Sequence, residues 1–322
     1  MSVKNIKQII LKRLPNVKFN VLLNQYTTFR IGGSAKYFIE VKDVKEIINT
    51  VLVAKKLHLP FFVLGAGSNI LFSDKGFNGL IIKIKGQGLK VLRNKIISSA
   101  GVTLSKLTGE SIKQGLSGLE WFIGIPGTLG GAIWANSGAF GKSISDAIET
   151  VEVLDIKTLK IKKLSVRQCR FNYKDSIFKT NANLIILSAT LFCKKSSLQK
   201  IRQAVVGMQV KRKASQPLNY PSAGCVFQNV TKQIRNKKLI KGYPELAKFN
   251  QKNVIPAGYL IEKCGLKGKQ VGDAKISELH ANFIINLNKA KARDVLKLIN
   301  LAKSSVKKKF GVKLKEEIKI VV

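Results

Sequence analysis

Apolar residues at Ile6, Ile9, Ile10 and Leu14, set among lysines and closed by Pro15, predict a short amphipathic helix at the start of the chain. Tyr37 to Val41 alternates as a strand. Asp43 then caps a helix that runs through Leu57, Pro60 ends the connection, and Phe61 to Leu64 reads as a short buried strand, giving a β, α, β unit. Ile70 to Phe72 is a further short strand, and residues 79 to 101 alternate in β fashion. Thr103 or Ser105 starts a helix that reaches Gln114, and strands follow at Thr150 to Asp155, Leu159 to Leu164 and Asn183 to Phe192. A helix from about Ser197 to Arg212 leads to a last region with its own helix, about 289 to 310, and a closing strand. Alternation in that strand puts Val312, Leu314, Glu316, Ile318, Ile320 and Val322 on one face and Glu317 with the lysines on the other, so parity alone singles out Glu316 as the odd carboxylate. Helices and strands mixed in this way predict an α+β chain. At 322 residues it exceeds the size of one core, and we place a domain boundary near 205.

Composition changes this picture mainly through charge. The net charge is +39, carried by 48 Lys and nine Arg that are spread along the whole chain without a basic tail. Nucleic-acid sites cluster their charge and interleave Arg with aromatics, so the pattern reads as a solvated basic surface with no nucleic-acid partner. Such a field still attracts a diphosphate. Cys169, Cys193, Cys225 and Cys264 show no Cys-x-x-Cys spacing, and with only His58 and His280 beside them no metal site is expected. A reducing cytoplasm fits these cysteines. The N-terminus lacks the apolar core of a signal peptide, and no stretch reaches the roughly 18 apolar residues of a membrane span. The expectation is a soluble, cytoplasmic monomer.

Candidate chemistry lies in two glycine loops. Residues 124 to 141 hold six glycines and almost no charge; Gly127, Gly130 and Gly131 are expected to present N–H donors at close range, with Pro126 fixing the entry and Thr128 adding a hydroxyl. The plainer reading is a turn of small residues where two segments cross. Gly65-Ala66-Gly67-Ser68-Asn69 forms a second loop, with no Lys-Ser/Thr after it as in a Walker loop and no third glycine opening a helix as in a dinucleotide fingerprint. Two such loops suggest a long diphosphate cofactor held by backbone on both sides. Arg30, beside Gly32 and Gly33, is either an anion contact or a surface arginine.

Taken together, Thr28-Phe29-Arg30-Ile31-Gly32-Gly33, Leu64 to Asn69, Gly124 to Gly141, Tyr173-Lys174-Asp175-Ser176, Gln216-Pro217 to Pro221-Ser222-Ala223-Gly224-Cys225-Val226-Phe227, Ala257 to Glu262, His280-Ala281-Asn282-Phe283 and Leu314 to Ile318 resemble the UDP-N-acetylenolpyruvoylglucosamine reductase family over nearly the whole chain. The short span from Ser176 to Cys225 is similar to the subgroup without an extra tyrosine-bearing loop. The resemblance implies an α+β fold: a two-subdomain FAD-binding region of the PCMH or vanillyl-alcohol-oxidase type, here 20–84 and 85–204, followed by a smaller UDP-sugar domain, 205–322. It implies FAD and NADPH as cofactors, and reduction of a UDP-sugar enolpyruvyl ether in peptidoglycan precursor synthesis. Implied cofactor contacts are Arg30, Gly65, Ala66, Gly67, Ser68, Asn69, Gly127, Thr128, Gly130, Gly131, Asn136 and Gly141. Implied substrate contacts are Tyr173, Gln228, Asn229 and Asn282. The catalytic positions fall on Lys174, where the family's usual residue is Arg; on Cys225, where it is a proton-donating Ser; and on Glu317, which the family register favours over Glu316. Against these stand a solvated Lys174 and a Cys225 that only packs. The competing functions are an oxidase of the same flavin-binding fold and a basic nucleic-acid-binding protein.

Overall fold

The computed structural model describes residues 3–321, with the side chains of 3–6 left aside, so the expectations for Ile6 and Val322 lie outside the described residues. The chain divides into two units. The first comprises the N-terminus to Val21, Ala35–Gly67 and Phe77–Arg212; the second comprises Leu22–Ser34, Ser68–Gly76 and Lys213–Val322. The α+β expectation is met in both.

In the first unit, Ser34–Val41 and Phe61–Leu64 both run parallel to Phe77–Ile84, and the helix Val44–Lys56 crosses between the first two. Asp43 starts that helix as expected, accepting from the Glu46 N–H at 2.9 Å. The helix lays Ile47, Val51 and Ala54 on Tyr37, Ile39, Leu80 and Ile82 of the sheet, forming one core with Ile10 of the N-terminal helix Val3–Arg13 and with Leu14 just after it. The region 79–101 breaks into three strands, Phe77–Ile84, Leu89–Leu92 and Lys95–Ser99. The last two join Ile148–Asp155, Lys160–Ser165 and Leu184–Phe192 in an antiparallel five-stranded sheet. Its core takes Leu104 and Leu107 from the helix Leu104–Lys113, which Thr103 caps through the Lys106 N–H.

In the second unit, the strands Ser222–Cys225, Phe283–Asn286, Ala274–Ile276 and Gln270–Val271 pair in that order, and the helix Ala292–Phe310 packs Val295, Leu298, Ala302 and Val306 into their core. Phe29, Ile31 and Leu71 belong to the same core, which is why 22–34 and 68–76 part company with the first flavin subdomain expected at 20–84. The last passage between units follows Arg212, which is buried in the first unit, and so falls inside the helix Leu198–Ser215. The expected closing strand shrinks to Lys319–Val321, parallel to Ile70–Phe72. Val312, Leu314 and Ile318 keep their buried alternation, but the backbone before Lys319 makes only an isolated bridge, Phe227 with Glu316.

Candidate active site

In the first unit the two glycine loops meet. A Cβ on Gly65 would lie 2.5 Å from Thr128 Oγ1, so no side chain fits at 65. Gly67 is left-handed at φ 67°. No hydrogen bond among the described residues takes up the N–H groups of Ala66 to Asn69, or those of Gly127 and Thr128. Within the first unit the N–H groups of Ala66, Gly67, Gly127 and Thr128, beside a Gly65 whose Cβ would meet Thr128, form a set of backbone donors that fits the pyrophosphate of a dinucleotide such as FAD.

Half of the long loop behaves otherwise. Leu129–Ala135 is a helix capped by Thr128, whose hydroxyl accepts from the Gly131 N–H at 3.4 Å, and the Gly130 N–H donates to Ala100 O at 2.8 Å. Gly130 is a glycine for packing: its Cβ would sit 2.9 Å from that of Ala100. Gly130 and Gly131 are therefore withdrawn as N–H donors to a cofactor. The helix N-terminus fills them because Thr128, a strong cap, precedes residues of small volume.

Asn136 ends this helix in a left-handed conformation and joins it to the Tyr173-Lys174 turn. Its Nδ2 donates to Asn172 O at 2.8 Å and its Oδ1 accepts from the Ser145 N–H, so both amide atoms serve the protein and not a cofactor. Asn172 and Asp175 exchange N–H···O=C bonds of 3.0 Å, leaving Tyr173 and Lys174 at the tip of a two-residue turn, with Lys174 at φ 52°. Ser176 Oγ donates to Trp134 O at 2.7 Å, and Lys174 Nζ reaches Gly138 O at 3.3 Å. The turn is thus stitched to the glycine loop at three points, which sets the Lys174 ammonium beside that loop. Gly141, at φ 79°, turns the small hairpin that follows Gly138.

Three basic residues were missed in the sequence. Lys179 lies over the Trp134 ring and donates to the Lys174 carbonyl at 2.5 Å. Lys83 donates to Gly65 O at 2.8 Å from beneath the shorter loop; burial pushes its pKa down, Glu40 opposes the shift and Lys85 adds to it. A lysine inside Leu80-Ile81-Ile82-Lys83-Ile84 was the available signal. Arg212 donates to Trp121 O at 2.9 Å, lies over Phe140 and packs its Cδ 3.1 Å from where Gly124 would carry a Cβ, bracing both shoulders of the long loop. Hidden in Lys211-Arg212-Lys213, it looked like solvated charge.

In the second unit Cys225 ends its strand opposite Phe283, after a bulge that includes Gly224 at φ 76°. Beside it runs the carboxylate segment. The Glu317 N–H donates to Val226 O at 2.7 Å, and the Gln228 N–H donates to Lys315 O at 2.9 Å. Glu316 is ion-paired to Lys303 at 2.7 Å, an attachment to the helix Ala292–Phe310, so parity identified a framework residue. Asn282 is 2% exposed and clasps Phe227 from both sides, accepting from its N–H at 2.9 Å and donating to its carbonyl at 2.8 Å. With both amide atoms engaged by the Phe227 backbone and the side chain nearly inaccessible, Asn282 acts as a framework residue in place of the expected UDP-sugar contact. Asn229 Oδ1 caps the helix Ala257–Lys263 at the Ala257 N–H, and Gln228 Nε2 lies 3.5 Å from Glu316 O. His280 accepts from the Asn282 N–H through Nδ1, and burial lowers its pKa, holding the ring neutral. Asn69 donates through Nδ2 to Glu317 O at 3.2 Å, leaving its main-chain N–H for a cofactor. Arg30, left-handed at φ 56°, lines a concavity of about 280 Å³ with Asn24, Gln25 and Thr27, in which the buried Asn24 Oδ1 has no partner among the described residues.

Residues 35–165 match the FAD binding domain family, and residues 216–321 match the family described as UDP-N-acetylenolpyruvoylglucosamine reductase, C-terminal domain. The chain is 35% identical to the UDP-N-acetylenolpyruvoylglucosamine reductase of Clostridium novyi (strain NT), across 99% of this chain and 95% of the relative. It is 40% identical to that of Caldicellulosiruptor bescii, across 93% and 88%. Among solved structures, the reductase (MurB) from Thermus caldophilus superposes with a TM-score of 0.74 at 32% identity, covering 94% of this chain and 98% of that one. With an FAD binding domain matched over 35–165, the reductase C-terminal domain over 216–321 and relatives alike over nearly the whole chain, the protein belongs to the UDP-N-acetylenolpyruvoylglucosamine reductase family of FAD-dependent oxidoreductases.

Proposed function

We propose that the chain reduces UDP-N-acetylglucosamine enolpyruvate to UDP-N-acetylmuramate with Lys174, Cys225 and Glu317 as its working side chains. The main-chain N–H groups of Ala66 to Asn69, Gly127 and Thr128 would hold FAD, which when bound would supply the hydride drawn from NADPH. Hydride added at the vinyl carbon leaves an electron pair on the adjacent carbon and its carboxylate. Lys174 sets a positive charge at that carboxylate; as a point charge it lacks the planar two-pronged contact of an arginine. Cys225 gives the Sγ proton to the carbon, a thiol being intrinsically a stronger acid than the alcohol of a serine. Glu317 is the second acid, its partner Glu316 being occupied by Lys303.

The observation that carries this assignment is the 2.7 Å bond from the Glu317 N–H to Val226 O, which keeps the carboxylate residue in register with the strand that ends at Cys225. The test is a pair of substitutions. Cys225→Ser is expected to stay active, whereas Cys225→Ala reduces its flavin with NADPH normally and slows in the sugar step, a positioned acid contributing typically about 10² to 10⁴. In a Cys264→Ser background, thiol alkylation should mimic the Ala variant and be prevented by substrate, Cys169 and Cys193 being buried with thiol pKa values raised to about 11. A Cys225→Ala steady-state rate within a few-fold of wild type sinks the assignment.

The chain is also read as a cytoplasmic monomer without a nucleic-acid partner. NADPH and a UDP-linked sugar as reactants, and lysines dispersed along the sequence, support that reading. A solution mass of twice 35.5 kDa would overturn the monomer. Among the described residues no helix is long and apolar enough to cross a membrane.

A further inference from the structure

Asn69 belongs to the shorter glycine loop by sequence, yet two of its polar groups are engaged by the carboxylate segment. Its Nδ2 donates to the main-chain carbonyl of Glu317 at 3.2 Å, and its own carbonyl accepts from the Lys319 N–H at 2.9 Å. Directly after it, Ile70 pairs in parallel with Lys319. The Glu317 residue is therefore gripped on both sides of its main chain: the N–H is fixed to Val226 O at 2.7 Å, the carbonyl to Asn69. These two anchors stand in for a strand that is missing, since regular pairing begins only at Lys319. Without the second, the Glu317 carbonyl loses the bond that orients the peptide between Glu317 and Ile318, and the line of the carboxylate is less well fixed.

We propose that Asn69 is the positioning residue of Glu317, so that one loop residue serves the cofactor with its main-chain N–H and aligns an acid of the reaction with its side chain. The proposal rests on the role given to Glu317 above. A displacement of about 1 Å at a reacting group can cost about 10²-fold in rate, and a single hydrogen bond of this kind is enough to prevent it.

The test separates two half-reactions in rapid-mixing experiments on the FAD-loaded protein: flavin reduction by NADPH, and reoxidation by the enolpyruvyl UDP-sugar. Asn69→Ala and Asn69→Asp, the second keeping the shape while removing the amide donor, are expected to retain one FAD per chain. Both should slow reoxidation about 10- to 100-fold, well beyond any slowing of reduction. In a double-variant cycle, Glu317→Gln with Asn69→Ala should be no slower than Glu317→Gln alone, because the two substitutions remove the same contribution. Loss of FAD from both Asn69 variants, or equal slowing of both half-reactions, overturns the proposal and returns Asn69 to the cofactor. Additive losses in the cycle overturn it as well. If Glu317→Gln reoxidises at the wild-type rate, the role of Glu317 fails first, an outcome distinct from a slow Glu317→Gln beside a normal Asn69→Ala.

Discussion

At the level of single residues, the chain is most informative where it departs from its family. Lys174 occupies a left-handed turn position that β-branched or bulky residues avoid, and its ammonium is directed to Gly138 O at 3.3 Å. If it stabilises the developing carboxylate charge, Lys174→Ala will slow flavin reoxidation by the sugar far more than flavin reduction by NADPH, and Lys174→Arg will preserve or raise it. Equal slowing of both steps would indicate a folding or binding defect. Lys174, Cys225 and Glu317 were singled out because each lies within a recognisable run of residues. Asn282 and Asn136 were misread because a sequence shows an amide but not its partners; both amides turn inward, to Phe227 and to Asn172 with Ser145. Lys179 and Arg212 were invisible among 57 basic residues, since charge is legible only when it is scarce.

Among the elements, periodicity located the long helices and strands well: Asp43, Thr103 and Pro60 punctuate the chain where their side chains dictate. It missed Leu129–Ala135, where glycines at 130 and 131 argue against a helix and tertiary packing on Ala100 overrules them. The contact of the two glycine loops gives a direct prediction. Gly65→Val must push against Thr128 Oγ1, and the purified variant should lose its FAD absorbance while its far-ultraviolet circular dichroism is kept; full flavin stoichiometry would show that the loops have another purpose. A second prediction concerns the helix Ala292–Phe310. Its first N–H groups, Ala292 and Arg293, donate to the Asp74 carboxylate at 2.8 and 3.1 Å, a cap reached from 218 residues away. Asp74→Ala should lower stability by about 1 kcal/mol in chemical denaturation, with Asp74→Asn recovering part of it. An unchanged denaturation midpoint would make the cap incidental.

For the whole molecule, the order of segments matters as much as their content. The second unit collects 22–34 and 68–76 long before the chain supplies 213–322, and Ile70–Phe72 waits for Lys319–Val321 as its only β partner in the sheet they form. Synthesis proceeds from the N-terminus, so Phe29, Ile31 and Leu71 emerge roughly 200 residues before the core that covers them. The nascent chain therefore carries these apolar segments uncovered until residues 213–321 are made, a sequence separation that also slows folding in a test tube. Refolding from denaturant should show the first unit's antiparallel sheet, built from segments close in sequence, protecting its amides from exchange ahead of Ile70–Phe72. Simultaneous protection of both would contradict this order. The pairing of Ile70–Phe72 can therefore form only after roughly 250 further residues have been made, about the whole of the intervening first unit and most of the second.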